Sequence, residues 1–130
     1  MIKFAAYKKK YIVKAVYSYE DNGSAVGDYG LGAIIPSGAI VTNVYYNVKT
    51  APTSSTSASK ISINLVSNGD IVESTSLDDG SNTWSEGVHS SKVPFESLYL
   101  LLTENKELTV SISVEELLSG EIDIYLEYVI

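Results

Sequence analysis

Apolar and polar residues alternate with a period of two along most of this chain. In Ile40–Val48, Ile40, Thr42, Val44, Tyr46 and Val48 share one side, and Val41, Asn43, Tyr45 and Asn47 the other. That is the pattern of a strand with one face on a core and a mixed face outside. A second strand is predicted over 11–20, with Tyr11, Val13, Ala15, Tyr17 and Tyr19 opposite Ile12, Lys14, Val16 and Ser18. The outward lysine marks it as an edge. Further strands are predicted over 60–66, 71–77, 108–114 and 121–130. The last carries Ile122, Ile124, Leu126, Tyr128 and Ile130 toward the core.

Turn chemistry separates these runs. Asp21-Asn22-Gly23-Ser24, Pro36-Ser37-Gly38, Ser67-Asn68-Gly69-Asp70 and Asp78-Asp79-Gly80-Ser81-Asn82 supply residues suited to tight turns and positive φ. The polar stretch Ser54–Ser59 reads as a mobile, dispensable surface loop. Glu115–Leu118 reads as a single helical turn closed by Gly120, and residues 95–102 fit either a short helix or a strand. The sum is seven or eight strands with almost no helix. It predicts an all-β fold: an antiparallel β-sandwich, jelly-roll-like, since a single open sheet would leave too many apolar faces wet. The predicted core is Leu31, Ile40, Val44, Val48, Ile63, Leu65, Val110, Ile112, Ile124 and Leu126.

The outward side chains are unusually apolar for a monomer. Ile12, Val16, Val41, Tyr45, Tyr125 and Val129 fall on the faces opposite the predicted core, which marks them as candidate interface residues. The chain has ten tyrosines. Tyrosine joins contact area to a polar tip and suits subunit interfaces and sugar-binding surfaces, although strands favour aromatics in any case.

At 130 residues the chain is one domain able to bury a core without staples. It reads as residues 11–130 preceded by a basic arm at 1–10. There is no cysteine, hence no disulfide framework and no cysteine-based metal site or nucleophile. The first twenty residues do not read as a signal peptide, and no apolar run approaches a membrane helix, so a soluble protein with no membrane partner is expected. The net charge is −7, and no arginine occurs. Both features argue against a nucleic-acid partner. Residues 1–60 hold seven lysines against three acids, whereas residues 61–130 hold two against thirteen. Lys8, Lys9 and Lys10 thus form a local basic patch, read either as solvated or as an attachment arm for an acidic partner.

Chemistry is sparse, and no enzyme is expected. His89 stands alone among serines with no nucleophile-elbow motif around it, so no catalytic residue is assigned. Asp70, Asp78 and Asp79 lack the spacing of a calcium loop, Glu115-Glu116 reads as turn surface, and no phosphate loop occurs. No metal and no cofactor is assigned. Trp84 has two readings: a plug at the end of the core, or a stacking contact for a glycan.

The block GLGAIIPSGAIVTNVYYNVKTAP at Gly30–Pro52 resembles small structural proteins of tailed bacteriophages. KISINLVSNGDIV and the final GEIDIYLEYV, Gly120–Val129, extend the likeness over roughly 24–130. The resemblance implies a self-associating virion module, most simply a trimer, that decorates or stabilises the capsid or forms part of a head fibre. It also implies other virion proteins, such as the major capsid protein, as partners, and assembly in the cytoplasm of a bacterial host. A tail or baseplate component and a carbohydrate-binding module for host-surface glycans are the alternatives.

Overall fold

A computed structural model describes residues 9–96 and 99–130. Nine strands occur among them: β1 Lys10–Ser18, β2 Gly27–Ile35, β3 Ile40–Thr53, β4 Lys60–Asn64, β5 Val72–Ser76, β6 Gly87–Ser90, β7 Leu100–Leu101, β8 Lys106–Ser113 and β9 Ser119–Val129. They form two antiparallel sheets. The larger has the order β1-β9-β3-β6, with β7 also on β3; the smaller has the order β2-β8-β4-β5. The sheets face each other as a sandwich, as the alternation predicts. β1 is an edge strand, and Lys14 points outward from it.

The inner faces interdigitate. Val44, Tyr46, Val48, Ile122, Ile124 and Leu126 of the larger sheet meet Ile61, Ile63, Leu108, Val110 and Ile112 of the smaller. Burying each such side chain contributes roughly 1.5–3 kcal/mol. Eight of the ten predicted core residues are buried; Leu31 and Ile40 are only half-buried.

Both exceptions arise at bulges. In β3 the register passes from Val41↔Tyr128 to Asn43↔Glu127, so Thr42 is an extra residue without a partner. One inserted residue turns the following side chains to the other face. Ala39 and Val41 therefore point inward before the bulge, and Val44, Tyr46 and Val48 after it. Val41, expected on the outer face, is 0% exposed and belongs to the core, while Ile40 turns outward. In β2 the register shifts between Gly30 and Ile34. Gly32 adopts φ +81° there, and its amide donates to the Glu107 carboxylate at 2.9 Å. Leu31 is thus carried to the margin of the core.

The loop after β3 is anchored rather than free. Ser54 and Ser59 are buried. Glu115 accepts hydrogen bonds from Ser54 Oγ (2.7 Å), Thr56 Oγ1 (2.6 Å), Thr56 N (3.1 Å) and Ala58 N (3.3 Å). These donors, the Thr56 and Ser54 hydroxyls foremost, draw the Glu115 carboxyl down to about 2. Ser59 Oγ donates in turn to the Glu115 carbonyl at 2.8 Å. The expected helical turn at Glu115–Leu118 is absent. The Glu115 amide instead bonds the Ser113 carbonyl at 3.0 Å, with Val114 at φ +75°, the geometry of a γ-turn. That tight turn is what aims the Glu115 side chain at the loop.

Candidate interaction surface

The outer face of the larger sheet gathers most of the candidate interface residues. Its order and register fix which side chains share a row. Lys14 of β1, Tyr125 of β9, Tyr45 of β3 and Ser90 of β6 lie abreast. On one side of them run Val16, Asp123, Asn47 and Val88; on the other run Ile12, Glu127 and Asn43. The end row is Lys10, Val129, Ile40 and Leu101.

Two properties single this face out. First, it is apolar in patches: Ile12 (66% exposed), Val88 (70%) and Leu101 (58%) stand well into solvent, with Val16 and Tyr45 also exposed. Tyr45 and Tyr125 stack at 5.0 Å between ring centres and 14° between planes, forming a flat aromatic centre. Tyr125 and Val129 are half-buried by their neighbours. Second, its charges close among themselves. Lys10 pairs with Glu127 at 2.7 Å, Lys14 with Asp123 at 3.5 Å, and Lys49 with Glu121 at 3.8 Å and Asp123 at 3.9 Å. Lys14 Nζ also lies 5.8 Å from the Tyr125 ring centre. Three lysines meet three carboxylates, so the face is neutral on a chain of net charge −7. Two copies can approach through it without the repulsion their other surfaces would impose.

Ile12, Val16, Tyr45, Tyr125 and Val129 are thus brought together, and Val41 is not. Val88 and Leu101 join the surface although the sequence did not mark them. Val88 lies in the aperiodic stretch 83–94, and Leu101 in the stretch that fitted either helix or strand; only pairing with β3 reveals their side.

The other candidates disperse. Lys10 is the first residue of β1. Lys9 continues the same ladder, exchanging backbone hydrogen bonds with Ile130 at 2.8 and 2.9 Å. Lys8 lies outside the described residues. Trp84 is buried, with its indole N–H donating to the Thr75 carbonyl at 3.0 Å and its ring 5.5 Å from that of Tyr46. That placement fits the plug of its first reading. His89 stacks on Tyr46 at 5.1 Å and bonds the Ser85 carbonyl rather than a hydroxyl. Asp70 is occupied by the amides of Leu65, Val66 and Ser67. Among the described residues no three acidic or histidine side chains gather in a cluster able to hold a metal ion.

No family model matches the sequence, and no curated protein matches it. The fold does have solved counterparts. A chain in the acidic stable capsid structure of Helicobacter pylori bacteriophage KHP30 superposes with a TM-score of 0.65 at 19% identity, over 95% of this chain and 94% of that one. A chain of the cyanophage Pam1 capsid asymmetric unit gives 0.70 at 10% identity, over 100% and 91%. A chain of the capsid of Ralstonia phage GP4 gives 0.69 at 12% identity, over 99% and 90%.

Proposed function

We propose that this chain is a structural component of a tailed-bacteriophage virion, a module that associates with itself and decorates or stabilises the capsid or forms part of a head fibre. The observation that carries the reading is the end-to-end likeness to chains from three phage capsids, each matched over nine-tenths or more of its own length. Between 95% and 100% of this chain is covered in each case. That all three counterparts come from capsids favours the head over a tail or baseplate position.

The neutral, partly apolar sheet face supports self-association through Ile12, Val16, Tyr45 and Tyr125, with Val129 at its margin. A trimer is the proposed state, as the resemblance implies: one margin of the face on each copy meets the opposite margin on the next, and cyclic closure leaves no growing end. The major capsid protein is the proposed partner beneath it, and the module joins the virion in the host cytoplasm. Lys8 and Lys9, which precede the first strand in sequence, are proposed to serve an acidic docking surface. The experiment is to separate purified virions into heads and tails and to locate the protein by mass spectrometry and antibody labelling. Recovery at many copies with the heads supports the proposal; recovery only with tails, or absence from virions, overturns it.

A further inference from the structure

The open side of the sandwich holds a cleft that the outer sheet face does not explain. It lies between β5 and β6, the edge strands of the two sheets, and encloses about 280 Å³. Tyr46, Ile71 and Val72 form its floor, and Glu73, Phe95 and Glu96 stand at its rim. Phe95 is 73% exposed. Among the described residues neither Glu73 nor Glu96 has an ion-pair partner. The remaining rim charge, Lys92, is turned toward the Gly69 carbonyl, 3.5 Å from its ammonium. Beside β5 the Lys92 amide donates to the Ile71 carbonyl at 2.9 Å and the Trp84 indole N–H to the Thr75 carbonyl at 3.0 Å. An apolar floor under an acidic rim suits a segment that is apolar and basic.

The chain contains such a segment. Residues 1–9, MIKFAAYKK, carry three lysines and no acid, and otherwise consist of apolar side chains and one tyrosine. We propose that the cleft between β5 and β6 receives this N-terminal segment from a neighbouring copy, its apolar residues meeting exposed Phe95 at the rim and its lysines answering Glu73 and Glu96. The proposal rests on the self-association proposed above and names the acidic surface that the basic segment serves.

Direction and area favour exchange between copies. The Lys9–Ile130 pair continues the β1–β9 ladder, so the described chain begins at the β1 edge of the larger sheet. The chain's own cleft lies instead at the opposite edge, three strand spacings or about 14 Å to the side. The outer face of the larger sheet, four strands wide and nine residues long, offers roughly 500 Å² from strand spacing and rise. A standard interface needs about 800 Å² per partner. An inserted nine-residue segment supplies area of the size that is missing.

The absence of native cysteine makes a disulfide test clean. Full-length chains carrying Ala5→Cys are mixed with full-length chains carrying Thr75→Cys, which lines the cleft, or Ser111→Cys, on the outer face of the smaller sheet, and oxidised. The expected result is a crosslink to Thr75→Cys at least tenfold faster than to Ser111→Cys, slowed severalfold when Glu73→Lys and Glu96→Lys are added to the receiving chain. Equal rates at the two positions overturn the proposal. So does exclusive intrachain closure in the chain carrying both Ala5→Cys and Thr75→Cys. The mass of the unmodified protein separates the two readings. A trimer without the crosslink removes the exchange and leaves self-association standing, whereas a monomer removes both.

Discussion

Individual side chains decide which surfaces of this sandwich are core and which are offered outward. The bulge at Thr42 makes Val41 and Ile40 opposites: neighbours in sequence, one in the core and one on the outer face. Placing a charge at Val41 therefore buries it without a partner, whereas the same charge at Ile40 keeps access to water. Val41→Asp is expected to leave no cooperative unfolding transition in urea, while Ile40→Asp keeps one; two equally folded variants would contradict the bulge. Truncating a fully buried residue such as Ile124 to alanine is expected to cost about 2–5 kcal/mol by the same measurement.

Glu115 gives a pH signature at this scale. Its carboxyl is held at about 2 in the folded chain, below its ordinary value of 4.5. A depressed folded value means that the unfolded chain binds the proton more readily. The contribution is then fully present above pH 4.5 and is lost as pH falls toward 2. Urea midpoints measured across that window are expected to fall in the native chain and to fall less in Glu115→Gln. Identical slopes would contradict the hydrogen-bonded role. Tyr46 is the alkaline counterpart. Burial pushes its phenol up to about 12, so its contribution is present below pH 10 and is lost as pH rises through 12.

At the level of elements, much of the architecture is legible from period and turn chemistry. β4, β8 and β9 alternate without interruption and are found where the pattern puts them. What escapes are events that alternation cannot register. A bulge adds one residue without changing composition, so β3 reads as one continuous strand although its inner face changes phase at Thr42. β6 and β7 are four and two residues long, too short to show a period, and they exist because β3 offers them an edge. Ser54–Ser59 reads as a free tether because its partner, Glu115, lies about sixty residues away in sequence. Replacing it with a glycine-serine linker of equal length is expected to lower the melting temperature by about 5 °C or more, through loss of the bonds made by buried Ser54 and Ser59. An unchanged melting temperature would restore the tether reading.

For the whole molecule, the decisive contrast is between the outer surfaces of the two sheets. The smaller sheet turns hydroxyls and amides outward, with Asn64 donating to Thr109 Oγ1 and Ser111 Oγ at 3.1 and 2.9 Å. The larger sheet turns out isoleucine, valine, a tyrosine pair and self-compensated charges. A chain of net charge −7 that keeps one face neutral and partly apolar has one surface free of the repulsion its net charge imposes elsewhere. The likeness in fold to phage capsid chains and the character of this face both support the proposed virion module that associates through the larger sheet. Sedimentation equilibrium at micromolar concentration tests that most directly, on the native chain and on Tyr45→Glu, which puts an unpaired charge at the centre of the face. A native species of three times the 14.1 kDa chain mass and a folded Tyr45→Glu monomer are expected. A native species of 14.1 kDa, or a Tyr45→Glu variant that remains fully associated, would contradict the proposal.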